Sequence, residues 1–349
     1  MPDNQQLKVA LIGCGGIVQK AHLPCLLRHA PAVTITAIAD PDADRRNTVA
    51  RKAGLSPDSC YDGYDSLLQS VRPDLVVVAT PHHVHVPAIK AAIAKRIPVV
   101  CEKPLVHNLD EARELADYVI AAGTPFSLVH NFLYSPGTRR AMALLRSAAP
   151  TDERPIFARA QSLFAKDAPL DPADWRSRVE TGGGALNDTC YHEIYLVEAM
   201  VGSPIVAVQA RISTSYHAIS ADDLVLLTFE HANGVVSTVT TSWAVAGAEG
   251  TFCEVHTTQR AVRVEGRGRR IRHYSRTNRH WQEEDIGPTD AAGVASGHAG
   301  FWEATLHAMQ HRQALPVPAR QALRQVAILD AAHRSSRNRG ALITVPTEI

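Results

Sequence analysis

The chain has 349 residues, 45% hydrophobic and 20% charged, with a formal net charge of +1 at pH 7. That length exceeds one ordinary core, so two domains are expected, and the balanced charge argues against a nucleic-acid partner. No apolar run approaches the ~20 residues that a bilayer span needs, and residues 1–13, MPDNQQLKVALIG, carry no basic stretch followed by an apolar core and a cleavage site, so neither membrane nor leader is expected.

Residues 7–12 alternate and then run apolar, as a buried parallel strand does. GCGGIV follows at once, then a helical segment over 19–29 and a second β-rich run over 33–39 that ends at Asp40. Strand, glycine turn, helix, strand and acid make a dinucleotide cradle. Gly13 permits the tight turn, Gly15 lets the main chain approach a pyrophosphate, and the helix N-terminus offers it free N–H groups. The third fingerprint position is Val18 rather than Gly or Ala, with Gly16 beside it. Asp40 suits the ribose 2′-hydroxyl and hence NAD. The nearby Arg45 and Arg46 keep NADP open.

DLVVVAT (74–80) reads as another buried strand, residues 81–96 as a turn and an amphipathic helix, and 97–101 as a further strand leading into Glu102-Lys103-Pro104. Strands and helices alternating at this length mean a doubly wound sheet, with ligands beyond the carboxyl ends of its strands, where Thr80, Pro81, Lys103 and Pro104 stand. His82, His83 and His85 have no carboxylate or cysteine cluster beside them, so no metal site is expected. His85 reads as a cap or a packing group against the cofactor loop.

From about residue 126 the alternation stops. A helix is expected over 135–147 with Pro136 in its first turn, and strands over 156–164, 206–215, 224–230, 235–243, 251–257 and 261–265, with 231–234 as a hairpin turn. These strands form an antiparallel meander. Helices follow over 301–313 and 320–335, and a last strand over 342–345. Between the strands over 156–164 and 206–215 lies GGGALNDTCYHEIYL (182–196): three glycines, then a helical segment carrying Asp188 and His192 four residues apart, on one face. The arginines at 260, 263, 267, 269, 270, 272, 276 and 279 read as a solvated hairpin or sheet edge. Glu180, Asp222 and Asp223 are candidates to meet an amino-substituted sugar.

GCGGI, AIADPD, VVVATPHHVH, CEKP and GGGALNDTCYHEI together resemble the Gfo/Idh/MocA oxidoreductases, over nearly the whole chain. The resemblance implies an α/β protein: an N-terminal Rossmann doubly wound parallel sheet (1–126) for NAD, and a C-terminal α+β domain (127–349) with a large open-faced, mostly antiparallel sheet for substrate and oligomerisation. In one arrangement the last helices pack back on the first domain. It implies a dehydrogenase or reductase acting on a carbohydrate or cyclitol, with Lys103, Asp188 and His192 as catalytic residues. Candidate cofactor contacts are Gly13, Gly15, Gly16, Ile17, Asp40, Thr80, Pro81, His82, His85, Glu102, Lys103 and Asn131. Candidate substrate contacts are Lys103, Trp175, Arg176, Asp188 and His192. Many members carry a basic residue where Leu133 stands, between Asn131 and Pro136, which bears on substrate contacts.

Hydride transfer needs a base for the hydroxyl proton and a positive group for the developing alkoxide. His192, with an ordinary imidazole pKa of ~6.5, suits the first role, and Lys103 the second. Relatives of this fold also include NAD-dependent glycosidases, separated by the absence of net NADH, and cofactor-sensing binding proteins that have lost the catalytic groups. Six scattered cysteines without a C-x-x-C pair exclude a disulfide framework and a zinc ribbon, and point to a reducing cytoplasm. A homodimer or homotetramer through the C-terminal sheet is expected. The Ala- and Arg-rich composition is compatible with a GC-rich genome and a secondary-metabolite sugar pathway.

Overall fold

The computed structural model describes residues 6–147, 153–166, 170–247, 250–286 and 297–346. They form two units, one of residues 6–131 with 297–323 and one of 132–286 with 324–346.

The first unit is built on six parallel strands in the order β3-β2-β1-β4-β5-β6. They are β1 (Leu7–Ile12), β2 (Val33–Ala39), β3 (Cys60–Tyr61), β4 (Leu75–Val78), β5 (Val99–Cys101) and β6 (Phe126–Leu128). β4 and β5 are fully buried, because helices cover both faces of a doubly wound sheet. The helices are α1 (Leu23–Leu27), α2 (Ala43–Ala53), α3 (Tyr64–Ser70), α4 (His85–Ala94) and α5 (Leu109–Ala122). Their ends follow capping chemistry: Asp42 accepts from the Asp44 and Arg45 N–H groups, Asn108 from those of Asp110 and Glu111, and Gly54 and Gly123 close the C-termini with positive φ. The helix expected over 19–29 starts instead as a π-helical turn (Val18–His22) that runs into α1. α8 (His298–His311), distant in sequence, packs on α1 in the same unit.

The second unit holds nine strands in the order β14-β13-β12-β11-β7-β10-β9-β8-β15. They are β7 (Pro155–Leu163), β8 (Ile205–Ser213), β9 (Leu224–His231), β10 (Val236–Ser242), β11 (Thr251–Thr257), β12 (Arg260–Glu265), β13 (Arg270–Ser275), β14 (Trp281–Asp285) and β15 (Ile343–Thr344). Every pair is antiparallel except β7 with β10. α7 (Tyr191–Val201) lies against β7, β10 and β11, and α6 (Pro136–Leu145) against β12 and β13. Ala158, Ala160, Val239, Val255 and Val262 are buried. α9 (Ala319–Arg337) begins in the first unit and ends in the second.

The arginine-rich segment folds as strands β12, β13 and β14. Arg159, Glu254, Arg263, Arg272 and Glu283 stand in one cross-strand row. Glu254 pairs with Arg159 and Arg263, Glu265 with Arg263 at 2.8 Å, and Glu283 with Arg272 at 3.0 Å. The arginines thus lie on the hairpin at one edge of the sheet, and Arg159–Glu254, Glu254–Arg263 and Arg272–Glu283 pair opposite charges across neighbouring strands, which stabilises a sheet.

Candidate active site

β1 ends at Ile12 and the chain turns through Gly13 at φ +100°, where a Cβ would fall 2.5 Å from the Ala79 carbonyl oxygen just after β4. Only glycine fits there. At Gly15 and Gly16 a Cβ would meet nothing within 4 Å, so open space borders the turn where the first helix begins. Val18, the departure from the fingerprint, is fully buried as the first residue of the π turn. β1 and β4 are neighbours that leave the middle of the sheet in opposite directions, which is the switch point where such sheets bind ligands.

Asp40 is buried and holds this turn. One carboxylate oxygen accepts from the Cys14 N–H at 2.7 Å and the other from the Asp42 N–H at 2.9 Å. Each oxygen keeps a further lone pair for a hydroxyl. The Arg46 guanidinium donates to the Asp40 carbonyl, and Arg45 pairs with Asp42. Across the switch point the Thr80 hydroxyl is buried with no hydrogen-bond partner among the described residues. A buried, unmatched hydroxyl calls for a ligand or a water. Together with the open glycine edge it fits a dinucleotide.

Ile17 is exposed beside the turn, and Pro81 leads into a short turn (His82–Val84) with His82 edge-on to His107. The His85 ring bridges main chain: Nδ1 lies 3.1 Å from the carbonyls of Pro104 and Leu105, and Nε2 3.0 Å from that of Thr80. Burial pushes its pKa down.

Glu102 follows β5 and is buried. His22 Nε2 lies 2.8 Å from its Oε1, and the Lys103 N–H donates to its Oε2 at 3.1 Å. His298 Nε2 is 3.7 Å from Oε1, and Asn131 reaches the other ring nitrogen of His298 at 3.4 Å. Burial opposes a charged Glu102, but hydrogen bonds from His22 and His298 outweigh it and hold the carboxyl well below the usual range. Burial pushes His298 down, and His130 to about 3. The sequence offered no sign of His22, His298 or Trp302, because the contacts join residues 80 and 280 apart.

The second unit carries Trp175, Arg176, Asp188 and His192. Gly183 is required by packing, since its Cβ would fall 2.4 Å from the Arg176 carbonyl oxygen. At Gly184, φ +105°, the Cβ would meet the Asp222 carboxylate. The glycines therefore serve the chain's own fold, seating the 175–181 loop and the start of the next helix. Asp222 accepts from the Leu186 N–H at 2.8 Å, and Asp223 from the N–H groups of Ser215, Tyr216 and His217, so both acids hold main chain.

Residues Leu186–Cys190 wind as a π turn closed by the Tyr191 N–H on the Leu186 carbonyl, wider than the α turn the spacing suggested. π turns recur at functional positions. Asp188 on this turn pairs with Arg176 at 3.4 Å, and the Arg176 guanidinium lies over the Trp175 ring. Lys166 stands over the Trp243 ring and feels the charges of Asp188 and Arg176. Burial lowers its pKa. His192 on α7 places Nδ1 2.8 Å from the Tyr195 hydroxyl, which also accepts from the Phe132 N–H, and the Phe132 ring stacks on the imidazole at 4.3 Å. Tyr195, Phe132 and Lys166 escaped sequence reasoning. The i,i+3 spacing of His192 and Tyr195 was the one available signal.

Residues 7–130 match an oxidoreductase family with an NAD-binding Rossmann fold, and residues 154–263 match the GFO/IDH/MocA C-terminal domain. Inositol 2-dehydrogenase 4 of Saccharopolyspora erythraea is 28% identical over 243 residues, 68% of this chain and 67% of that protein. Levoglucosan dehydrogenase of Pseudarthrobacter phenanthrenivorans is 29% identical over 219 residues, 60% of this chain and 55% of that one. The matched stretches thus span about two thirds or less of these two curated relatives. The solved structure of GenD2 from gentamicin A biosynthesis, in complex with NAD, superposes with a TM-score of 0.81 at 26% identity, covering 99% of this chain and 97% of that one. Levoglucosan dehydrogenase in complex with NADH and levoglucosan superposes with a TM-score of 0.87 at 21% identity, over 98% and 100% of the two chains.

Proposed function

The chain belongs to the Gfo/Idh/MocA oxidoreductase family, and from that premise we propose that it moves hydride between NAD and a secondary alcohol of a sugar, aminosugar or cyclitol. The observation that carries the cofactor half is the switch point. Gly13 closes the turn, Gly15 and Gly16 border open space, and the Thr80 hydroxyl is buried without a partner among the described residues. Asp40 would accept from the ribose hydroxyl, and Arg45 pairs with Asp42 while Arg46 donates to the Asp40 carbonyl, which favours NAD over NADP.

Bound NAD would supply the hydride acceptor. His192 receives the hydroxyl proton as the carbon's C–H pair departs, leaving a ketone. Tyr195 occupies Nδ1, so the base would be Nε2, with Nδ1–H donating to the Tyr195 hydroxyl oxygen. Lys103, directly after Glu102 at the end of β5, is assigned the positive charge that a developing alkoxide requires. Asp188 and Arg176, an acceptor beside a donor, suit vicinal hydroxyls.

The test follows reduced-nicotinamide absorbance with both NAD and NADP against a panel of sugars, aminoglycosides and inositols. On the substrate that turns over, Lys103→Ala and His192→Ala should each cut kcat by about 10²–10⁴ while NADH affinity stays nearly unchanged. Near wild-type turnover in His192→Ala removes the base assignment.

A homodimer or homotetramer through the C-terminal sheet belongs to the same reading. The exposed Leu226 and Val236 on β9 and β10 support it, and light scattering tests it. None of the six cysteines is joined in a disulfide among the described residues, which supports the reading of a reducing compartment, and no helix among the described residues is long and apolar enough to cross a membrane.

A further inference from the structure

A buried polar cluster of the first unit reaches the main chain of Lys103. His22 comes from the π turn after the glycine loop, Glu102 from the end of β5 and Trp302 from α8. His22 and Trp302 are wholly buried. The Trp302 indole N–H donates to His22 Nδ1 at 3.1 Å. Indole is a donor only, so Nδ1 has to accept and the proton of a neutral His22 sits on Nε2. That N–H points at Glu102 Oε1, 2.8 Å away. The second carboxylate oxygen accepts the Lys103 main-chain N–H.

We propose that Trp302, His22 and Glu102 form a positioning relay in which the indole fixes the His22 tautomer, His22 fixes the Glu102 carboxylate, and the carboxylate fixes the main chain from which the Lys103 side chain projects. The relay stands on geometry alone. Only the consequence for turnover rests on the role assigned to Lys103 under the proposed function.

The same atoms admit a metal on distance, since one ligand atom each of His22, Glu102 and His298 lie within 4.8 Å of one another. The hydrogen-bond logic opposes it. A metal needs the Nε2 lone pair of His22, and freeing it moves the proton to Nδ1, donor against the indole donor. The other histidines that face Glu102 are His85, His130 and His298, each pushed down by burial, and Lys103 adds the nearby cation. Directed N–H groups rather than a metal therefore hold the carboxylate.

The experiment uses the whole chain labelled with ¹⁵N-histidine. At neutral pH the His22 resonances should report Nε2 protonated and Nδ1 bare, and added Zn²⁺ should leave them in place. Trp302→Phe, close in shape, should release Nδ1 and shift its signal. In parallel, the acylation rate of Lys103 is read by peptide mass spectrometry. His22→Leu should change it about tenfold, the size of one hydrogen bond to a charged group. His22→Gln, whose amide can accept from the indole and donate to Glu102, should restore it. With a sugar or cyclitol that turns over, His22→Leu should lower kcat by a similar factor at unchanged KM for NAD, and His22→Gln should recover it. If no alcohol turns over, the proposed function fails while the NMR and labelling results still decide the relay. A proton on Nδ1, a Zn²⁺-dependent shift of His22 and His298, or His22→Leu matching His22→Gln overturns it.

Discussion

Asp222 shows how a single carboxylate can set a pH dependence far from any proton transfer. It is buried, and burial outweighs its main-chain hydrogen bonds, pushing the carboxyl up to about 6. The folded value lies above the unfolded 3.8, so between about pH 4 and 6 the folded protein holds a proton that the unfolded chain has lost. Stability from this group is therefore greatest in acid and falls as pH rises through that window. Above it, the charged form costs roughly 3 kcal/mol, the equivalent of a two-unit shift. Asp222→Asn keeps an oxygen for the Leu186 N–H and removes the charge. Its melting temperature should exceed that of the wild type at pH 7.5, with the gap closing near pH 4.5, where both side chains are neutral. Thermal unfolding at the two values checks this, and an equal gap at both would show that charge burial is not the cause.

Two elements share one construction: a glycine turn followed at once by a π turn, Val18–His22 in the first unit and Leu186–Cys190 in the second. Sequence periodicity cannot separate a five-residue π turn from an α turn, so both looked like ordinary helix starts. β1, β2, β4 and β5 were legible because buried parallel strands are nearly continuous apolar runs. β13 and β14 were not, because cross-strand ion pairs such as Arg272–Glu283 replace the usual apolar alternation. Lys103, Asp188 and His192 stood out through local motifs, whereas His22 and Trp302 meet only in three dimensions. The glycine loop offers a test at this scale. In Gly183→Ala the new methyl would press on the Arg176 carbonyl and force the 175–181 loop to move, disturbing the partner of Asp188. Catalytic efficiency toward the alcohol should fall about tenfold, near 1.4 kcal/mol, while NADH affinity holds. NADH titration beside steady-state kinetics checks it. An equal loss of NADH affinity would mean that the loop serves the cofactor instead.

For the molecule as a whole, each unit has its own sheet and its own buried core, and the cofactor residues assigned to the switch point all belong to the first. A ligand that binds only the folded form stabilises what it binds, by about 2.7 kcal/mol at a hundredfold excess over Kd. Whether that reaches the second unit depends on how far unfolding is cooperative between them. Two separate cores favour separate openings, although α9 runs from one unit into the other. NADH should then slow amide exchange in β1, β2, β4 and β5, which frame the glycine turn and Thr80, and leave the central strands β10 and β11 near their unliganded rates. Peptide-resolved hydrogen exchange with and without NADH reads both sheets in one experiment. Equal protection of β10 and β11 would mean that the two sheets open as one body, with α9 as the element through which stabilisation of the first reaches the second.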